Sequence, residues 1–486
     1  MTARSLRMAI AACALAASAV PASGAAADFK VATDRTVDNS SLESIIKDVV
    51  RLSGAKTDDE KAIAILDYLH ATIFHFAYPV EKAPQTVGPL KVLNVYGWGL
   101  CGGQHTVLKA LFETAGWPVR YRGWPGHTTI EVQYGGTWHY FDVFMKCYFW
   151  TKDKKTIAGQ DDISADPSIV LDGAKDGRVP PTSYLCCGDE APGIVQGCKA
   201  SKPYPISKHE DGWASVTGRD QGYRPLLTLP SGAALRLEWK NEPNGSVVPG
   251  KNTHTCGNKD FRNDKALGPV LEHYGTRTWA NGKLTYAPDF AKAADVADIE
   301  LSGAKAAGGK LAGPGAAVFK LPMPYPYAAA SVTAAFEGGD GKLSVSTDAG
   351  KTWQAAEAGD VSALVRQKYD VQVKAEFAGA LAKFGVEAVV EHNRCALPFL
   401  LTGKNVVTAS LGKEALPKDC VVTVTYAYQE ATAPATRKQY NGDGVQYGET
   451  KTVSKEITAS PFTFTIDVGG NTPPKMLWIE RSAKGK

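Results

Sequence analysis

Apolar residues in the first quarter of the mature chain recur at helical spacing. One stretch at about 41–52 forms a single apolar face, and Gly54 follows it as a residue that commonly ends helices. A second helix is predicted to start at Thr57, because a glutamate three residues later completes a capping box. A third helix is predicted from about Cys101, with an apolar face that ends at Gly116. Three helices are therefore expected here.

The pattern changes from helical spacing to alternation after the third helix. Short strands are predicted at 119–122, 128–134 and 137–144, and Gly135-Gly136 between the last two is typical of a two-residue hairpin turn. We predict that the proline- and glycine-containing stretch 77–100 is a loop. Helices followed by a small antiparallel sheet indicate an α+β domain.

The rest of the chain is loop-rich and then strand-like. Residues from about 150 to 220 have little periodicity, and 303–315 has the Ala/Gly/Lys composition of a linker or long surface loop. Apolar, mostly alternating runs occur at 226–229, 234–239, 318–321, 331–336, 371–377, 386–391, 421–428 and 462–468. We therefore predict an α+β N-terminal domain over 28–220. β-rich, sandwich-like C-terminal domains are predicted to follow, as a middle region over 221–315 and a C-terminal region over 316–486.

The first 27 residues have the anatomy of a signal peptide. Two arginines precede an apolar stretch, and small residues end it in a pattern that suits cleavage. A lipoprotein alternative at Cys13 would leave almost no apolar region before the cysteine. No later segment resembles a membrane span. The sequence predicts export to the periplasm or the cell exterior.

Charge and composition exclude one large class of partner. Removing the predicted signal peptide leaves 52 basic and 50 acidic residues, so the mature chain is nearly neutral. Binding to nucleic acid needs a basic stripe that neutralises phosphates, and none is visible. We predict no nucleic-acid partner and no cofactor or metal site, and the sequence leaves the oligomeric state open.

Cysteines outnumber what one active site would need. Eight remain after signal removal, and an oxidising compartment favours disulfides. Cys395 and Cys420 share the C-terminal region and are a natural pair. A pairing of Cys186 with Cys198 would staple a loop over the site. Pairing is otherwise open for Cys147, Cys186, Cys187, Cys198 and Cys256. Zinc is the alternative for this cluster, although no CxxC motif occurs.

Cys101 is the candidate nucleophile. A helix N-terminus lowers a thiol pKa and offers free N–H groups that can bind an oxyanion. Gly102 and Gly103 follow it and present no side chains that would block a substrate. The alternative is an ordinary buried or disulfide-bonded cysteine.

His127 and Asp142 are the candidate base and orienting acid. A thiol nucleophile needs a base, and that base needs a group to orient it. Across a hairpin with a Gly135-Gly136 loop, Asp142 pairs with Thr129, and His127 is its diagonal neighbour on the same face. With the loop one residue earlier, His127 and Asp142 lie directly opposite each other. Either register brings the two side chains within reach of a hydrogen bond.

Other side chains compete for these roles. Glu131 lies on the same face and is the competing acid, and Trp138 and Tyr140 line that side. His139 points the other way and is expected to be a surface or core residue. His105 is a possible base by helical spacing from Cys101, but no acid lies at a readable spacing from it. We therefore prefer His127.

Several motifs in this region resemble the transglutaminase-like superfamily. Cys101 stands at a helix start in Gly-Leu-Cys-Gly-Gly-Gln, and the helix ends in Ala-Gly-Trp-Pro-Val-Arg. His-Thr-Thr-Ile-Glu then begins at His127, and Trp138 precedes Asp142 in Trp-His-Tyr-Phe-Asp. The resemblance covers about 58–145. The short interval between Cys101 and His127 departs from the family pattern and suggests a trimmed loop over the site.

The resemblance implies a papain-like fold and a Cys101–His127–Asp142 triad that acts on an amide. Family members include crosslinkers, peptidases, glycan-removing amidases and inactive proteins, and all three triad positions are filled here. Trp98 is a candidate oxyanion donor by analogy with the family's use of an indole N–H. For exported bacterial members the resemblance favours hydrolysis over crosslinking. The substrate class is a protein, a peptide or a glycan-linked amide.

Two alternatives do not involve amide turnover. One alternative is a carbohydrate- or protein-binding groove in the β-rich half, lined by aromatic residues that otherwise pack in cores. The candidates are Tyr204, Trp213, Tyr223, Trp239, Tyr274, Trp279 and Tyr286. An internal thioester or isopeptide crosslink would also use Cys101, although it would make a base superfluous after one turnover. A stretch at 346–353 matches an Asp-box hairpin, which we expect to be only a stable turn.

Overall fold

A computed structural model gives the fold. It describes residues 26, 28–75, 79, 81, 86–173, 175–178, 191–204, 216, 218, 220, 222–240, 279–412, 416–417, 419–433 and 445–486. The predicted signal peptide lies outside the described residues except for Ala26, whose backbone pairs with Leu229.

Helices dominate the N-terminal region. The described helices are α1 (Leu42–Ser53), α2 (Asp58–Thr72), α3 (Pro89–Lys91, continued by a π-helical turn over Val92–Tyr96), α4 (Cys101–Thr114), α5 (Gln160–Ala165), α6 (Ser168–Leu171), α7 (Ala191–Ala200), α8 (Ala293–Ala297) and α9 (Ser362–Val365). The three helices predicted from apolar periodicity are α1, α2 and α4, and all three are confirmed.

Local capping explains where the predicted helices begin and end. The Thr57 hydroxyl accepts a hydrogen bond from the Glu60 N–H, and the Glu60 carboxylate accepts one from the Thr57 N–H. Helix α1 ends at Gly54, whose φ of 70° is the left-handed conformation that glycine adopts without steric cost. These bonds satisfy backbone groups that a helix end leaves unpaired.

Two stretches predicted as loops contain regular structure. The 77–100 prediction is wrong from Pro89 onward, because α3, the π-helical turn and a short strand fill 89–99 with buried side chains such as Leu93. The 150–220 stretch likewise contains α5, α6 and α7. These elements are too short for sequence periodicity to reveal them.

The N-terminal region also holds a four-stranded antiparallel sheet. Its strands are β4 (Val119–Trp124), β5 (His127–Tyr134), β6 (Thr137–Phe141) and β7 (Lys202–Tyr204), in the order β6-β5-β4-β7. Earlier strands are β1 (Lys30–Thr33), β2 (Phe74–His75) and β3 (Trp98–Gly99). Tyr134 pairs with Thr137 across Gly135-Gly136, which confirms the predicted hairpin. Helix α4 packs on this sheet, where Phe112 meets Phe141 edge to face at 5.5 Å.

The C-terminal half is β-rich, as predicted. Its strands are β8 (Ala233–Glu238), β9 (Trp279–Tyr286), β10 (Glu300–Ser302), β11 (Lys305–Ala307), β12 (Lys310–Ala312), β13 (Gly315–Pro322), β14 (Tyr327–Glu337), β15 (Gly341–Ser346), β16 (Gln354–Ala356), β17 (Gly359–Asp360), β18 (Asp370–Phe377), β19 (Ala380–Asn393), β20 (Gly403–Ser410), β21 (Cys420–Ala431), β22 (Tyr447–Glu456), β23 (Phe462–Val468) and β24 (Lys475–Gly485). The chain is therefore α+β with most of its strands in this half.

These strands form sheets of ten, five and three strands. The ten-stranded sheet runs β11-β12-β19-β9-β8-β24-β21-β22, with β14 pairing β19 and β17. The five-stranded sheet runs β10-β13-β18-β15-β16, and β1-β20-β23 is the third. Phe319 of the five-stranded sheet stacks on Phe384 of the ten-stranded sheet with ring centroids 3.6 Å apart. Apolar faces of two sheets thus meet in one core.

The predicted linker at 303–315 is wrong. Strands β11 and β12 form a hairpin there, turned by Gly308 and Gly309 with φ of 58° and 74°, and Leu311 is buried against β19. Strands from both 221–315 and 316–486 pair in the ten-stranded sheet, so the predicted boundary at 315 does not separate two sheets.

The structure also tests the disulfide and aromatic predictions. Cys395 and Cys420 are both free thiols, so the predicted pair is wrong, and Cys198 is also a free thiol. Cys186, Cys187 and Cys256 lie outside the described residues.

Aromatic residues offered as a binding groove mostly form the core. Trp239, Trp279 and Tyr286 are buried, whereas Tyr223 is partly exposed. Trp213, Tyr274 and the side chain of Tyr204 lie outside the described residues. Residues 346–353 form the expected turn, with Asp348 accepting hydrogen bonds from Thr352. Within the described chain, no helix is both long and apolar enough to cross a membrane.

Candidate active site

Three elements bring Cys101, His127 and Asp142 together. Cys101 is the first residue of α4, His127 is the first residue of β5, and Asp142 follows the end of β6. The β5–β6 register pairs Ile130 with Phe141, which continues to Asp142 opposite Thr129. This is the first of the two registers considered from the sequence, and it puts the Asp142 and His127 side chains on one face.

His127 bonds to its predicted acid and influences its predicted nucleophile. Its Nε2 lies 2.7 Å from Oδ2 of Asp142, and its side chain is close enough to the Cys101 thiol for each group to shift the pKa of the other. Asp142 is fully buried, and 13% of the His127 side chain is exposed. Cys101 is partly exposed, so a ligand can approach the sulfur from solvent.

Electrostatics at this site favour an ion pair between sulfur and imidazole. Burial raises the pKa of Cys101, but the hydrogen bond and positive charge of His127, with the Thr128 N–H, bring the thiol pKa below its ordinary value. Burial lowers the pKa of His127, but the charge and hydrogen bond of Asp142, with contributions from Cys101, raise it to about 10. Both shifts favour a protonated imidazole beside a thiolate over the neutral pair.

Asp142 stays ionised despite its burial. Burial raises the pKa of its carboxyl, but His127, His105 and the Met145 N–H hold that pKa well below its usual range. Met145 N donates to Oδ1 at 2.8 Å, and the Tyr140 hydroxyl donates to Oδ2 at 3.0 Å. The carboxylate is thus fixed by hydrogen bonds on both oxygens, which orients the imidazole it faces.

His105 lies closer to an acid than the sequence indicated. Its Nε2 is 3.6 Å from Oδ1 of Asp142, and its Nδ1 is 2.7 Å from the carbonyl oxygen of Cys101. The expectation that no acid lies near His105 is therefore wrong. The contact joins residues far apart in the chain, and helical spacing could not reveal it. His105 is fully buried, which keeps it away from substrate.

Glu131 is occupied away from His127. Its carboxylate receives hydrogen bonds from Arg120 at 2.8 Å and from the backbone N–H of Gln160 at 2.7 Å, and Arg122 lies 3.4 Å away. Glu131 and Asp142 share one face of the sheet, but strand twist and this salt-bridge network keep the two carboxylates apart. His139 is a core residue as expected, stacked on Tyr134 at 3.8 Å.

Two aromatic side chains flank the base, and sequence reasoning missed them. The rings of Trp124 and Phe144 each lie 5.5 Å from the His127 ring, in edge-to-face geometry. Trp124 Nε1 donates to Gln160 Oε1 at 2.8 Å, which fixes its ring. The sequence carried one signal for Trp124. The pairing of β4 with β5 puts Trp124 directly opposite His127, so both side chains project from the same face.

Trp98 lies on β3, three residues before Cys101. It is almost fully buried and contacts Tyr96 edge to face at 5.6 Å. Its oxyanion role stays a prediction. Gly102 and Gly103 are also buried in the first turn of α4.

Two further thiols lie beneath the site. Burial and the Asp142 charge hold the pKa of Cys147 well above its ordinary value, and burial and Glu131 do the same for Cys198. Neither thiol is primed to react. Among the described residues, no group of three or more His, Cys, Asp or Glu side chains could hold a metal ion.

No protein-family model matches the chain, and no curated protein sequence matches it.

Proposed function

We propose that this chain is an exported thiol acyl-transfer enzyme of the transglutaminase-like superfamily, acting on amide bonds of a protein, peptide or glycan-linked substrate. One observation carries the proposal: the His127 imidazole bonds to the fully buried Asp142 carboxylate and acts on the neighbouring Cys101 thiol, whose pKa it lowers. A buried carboxylate behind an imidazole holds that imidazole in one orientation and favours its protonated form. An inert structural cysteine has no need of such a partner.

Acylation would begin with attack of the Cys101 thiolate on the substrate carbonyl carbon. A C–S bond forms, and the carbonyl π electrons move onto oxygen. The first turn of α4 offers N–H groups that lack helical acceptors, and these suit a developing oxyanion. The His127 imidazolium then gives its proton to the leaving nitrogen as the C–N bond breaks, which leaves a thioester on Cys101.

Deacylation would reverse these roles with water as acceptor. His127, now neutral, takes a proton from water as the water oxygen attacks the thioester carbon. Collapse of the second tetrahedral intermediate breaks the C–S bond. It returns Cys101 as a thiolate beside a protonated His127, ready for another cycle. We propose water rather than an amine as acceptor, which follows from the resemblance to exported bacterial members.

Flanking residues suit the departure of the amine. The proton donor is His127, and partly exposed side chains beside its ring are placed to contact the leaving group. Trp124 and Phe144 each lie 5.5 Å from that ring, and both are partly exposed.

A panel of amide substrates tests the proposal. The purified mature chain is incubated with unfolded proteins, glutamine-containing peptides and amide-linked glycopeptides, and released ammonia and new termini are measured. We expect turnover that Cys101→Ala abolishes, and a thioester on Cys101 detected by mass spectrometry after acid quenching. Equal product release by the wild type and by Cys101→Ala would refute the proposal that the chain is a thiol enzyme.

Two further readouts separate the alternatives. An added primary amine that becomes attached to the substrate would identify transamidation instead of hydrolysis. The intact mass of the mature chain distinguishes the internal crosslink, because a thioester or isopeptide bond would remove water or ammonia from the expected mass.

A further inference from the structure

We propose that His105 is a positioning residue that ties the nucleophile helix to the turn carrying the acid. The inference rests on the proposed function, since it assigns a role within the same site. His105 touches all three members of the proposed triad. It contacts Cys101 through the backbone, Asp142 through Nε2, and His127 ring to ring at 5.6 Å.

Both ring nitrogens of His105 are engaged. A carbonyl oxygen only accepts, so the 2.7 Å contact between Nδ1 and the Cys101 oxygen requires a proton on Nδ1. The Val143 backbone N lies 3.3 Å from Nε2, and Oδ1 of Asp142 lies 3.6 Å from the same nitrogen. One side of the ring therefore bonds to α4, and the other side contacts the Asp142 turn.

This arrangement couples the two outer members of the triad. Cys101 belongs to α4, and Val143 directly follows Asp142, so a single ring sets the separation between the two backbones. The ring also packs against His127 at an interplanar angle of 76°, which limits rotation of the catalytic imidazole. A misplacement of about 1 Å in such a constellation can cost 100-fold in rate.

Burial separates this role from that of a base. His105 is fully buried, whereas Cys101 and His127 are partly exposed, so His105 is placed to hold these groups and not to meet substrate. Asp142 and His127 both lie against its ring.

Alkylation of Cys101 across pH tests the proposal without a substrate. Iodoacetamide labelling rates, resolved by mass spectrometry, are compared for wild type, His105→Asn and His105→Phe. The Asn amide can keep the bond to the Cys101 carbonyl but leaves Val143 without its acceptor, and Phe removes both bonds. His139→Asn is the matched control. His139 lies on β6, and like His105 it is a buried histidine that bonds to a backbone carbonyl.

We expect the half-maximal pH of labelling to rise in the order wild type, Asn, Phe. At about pH 6 the Phe variant should react about tenfold more slowly, as one pKa unit implies. His139→Asn should lower the melting temperature and leave the profile unchanged. Folding of each variant is checked by circular dichroism, and the Asn variant carries the test if Phe does not fold.

Two results would overturn the proposal in distinguishable ways. If folded His105 variants give the wild-type profile, and labelling still depends on His127, then His105 has no positioning role and the proposed function stands. If His127→Ala is labelled with the same pH profile as the wild type, both the positioning role and the proposed function fail.

Discussion

The N-terminal region and the β-rich half each bury a histidine and cysteines, and their neighbours give these side chains opposite properties. His127 lies against Asp142, whose charge raises the histidine pKa to about 10. His392 lies in the β-rich core, where burial and the nearby charges of Arg481 and Arg394 lower its pKa to about 4. Burial disfavours the charged form in both, so the neighbouring charge decides the outcome.

Cysteines in the two regions differ in the same way. The pKa of Cys101 is lowered because His127 and the Thr128 N–H outweigh the effect of burial. Burial raises the pKa of Cys395 to about 12, although Arg394 is close. A nearby positive charge is therefore insufficient, and a hydrogen bond directed at the sulfur makes the difference.

Cys101→Ala against Cys395→Ala is the largest expected contrast. Removal of the nucleophile should reduce amide turnover by about 10⁴-fold or more, because the remaining triad members act only with it. Cys395→Ala should leave turnover unchanged, since its thiol is protonated and lies in the core. The release of ammonia or of new termini measures amide turnover in both variants. Loss of activity in the Cys395 variant would contradict the difference between the two cysteines.

His127→Ala against His392→Phe is the second contrast. Without His127, the Cys101 pKa should return toward that of an ordinary thiol, and labelling by iodoacetamide at about pH 6 should slow about 100-fold. His392→Phe removes a fully buried histidine of β19 in the C-terminal half. Its labelling rate should equal that of wild type. Similar slowing in both variants would indicate a general loss of structure.

The pH dependence of turnover should be bell-shaped. The His127 pKa is raised, so its proton is present below about pH 10 and is lost as pH rises through that value, which removes the acid for the leaving amine. The Cys101 pKa is lowered, so thiolate is lost as pH falls through a value below that of an ordinary thiol. Turnover measured across pH should fall about tenfold per unit beyond each limb. An alkaline limb near pH 6.5 would contradict the raised His127 pKa.

Tyr140→Phe against Tyr426→Phe is the smallest contrast. The Tyr140 hydroxyl donates to the Asp142 carboxylate, and a hydrogen bond to a charged group contributes about 1.5–3 kcal/mol. The Tyr426 hydroxyl is buried without a hydrogen-bond partner within the described part of the chain. Denaturant unfolding should show Tyr140→Phe destabilised and Tyr426→Phe unchanged or stabilised. Equal costs would mean that the Asp142 bond contributes nothing specific.

Local signals in the sequence predicted much of the site. The capping box at Thr57 and the Gly135-Gly136 turn depend on neighbouring residues, and both occur as predicted. Two hairpin registers stayed open, and both put Asp142 and His127 on one face. A helix from about Cys101 was also predicted, from the apolar face that starts at Val107.

Long-range contacts account for what the sequence did not predict. Residues 303–315 look like a linker because Leu311 is their only large apolar residue, yet pairing with β19 orders them. The bond between His105 and the Asp142 turn joins elements that no spacing rule relates. Cys395 and Cys420 are close in sequence order but belong to different parts of the fold and stay unpaired.

Direct titration of the Cys101 thiolate tests the central claim. Ultraviolet thiolate absorbance is followed with pH in wild type and in His127→Ala, and the signal of Cys101→Ala is subtracted from each. The ion pair predicts a thiolate already present well below the ordinary thiol pKa of about 8.5, and its loss in the His127 variant. A Cys101 thiolate that forms only near about pH 8.5 in both chains would contradict it.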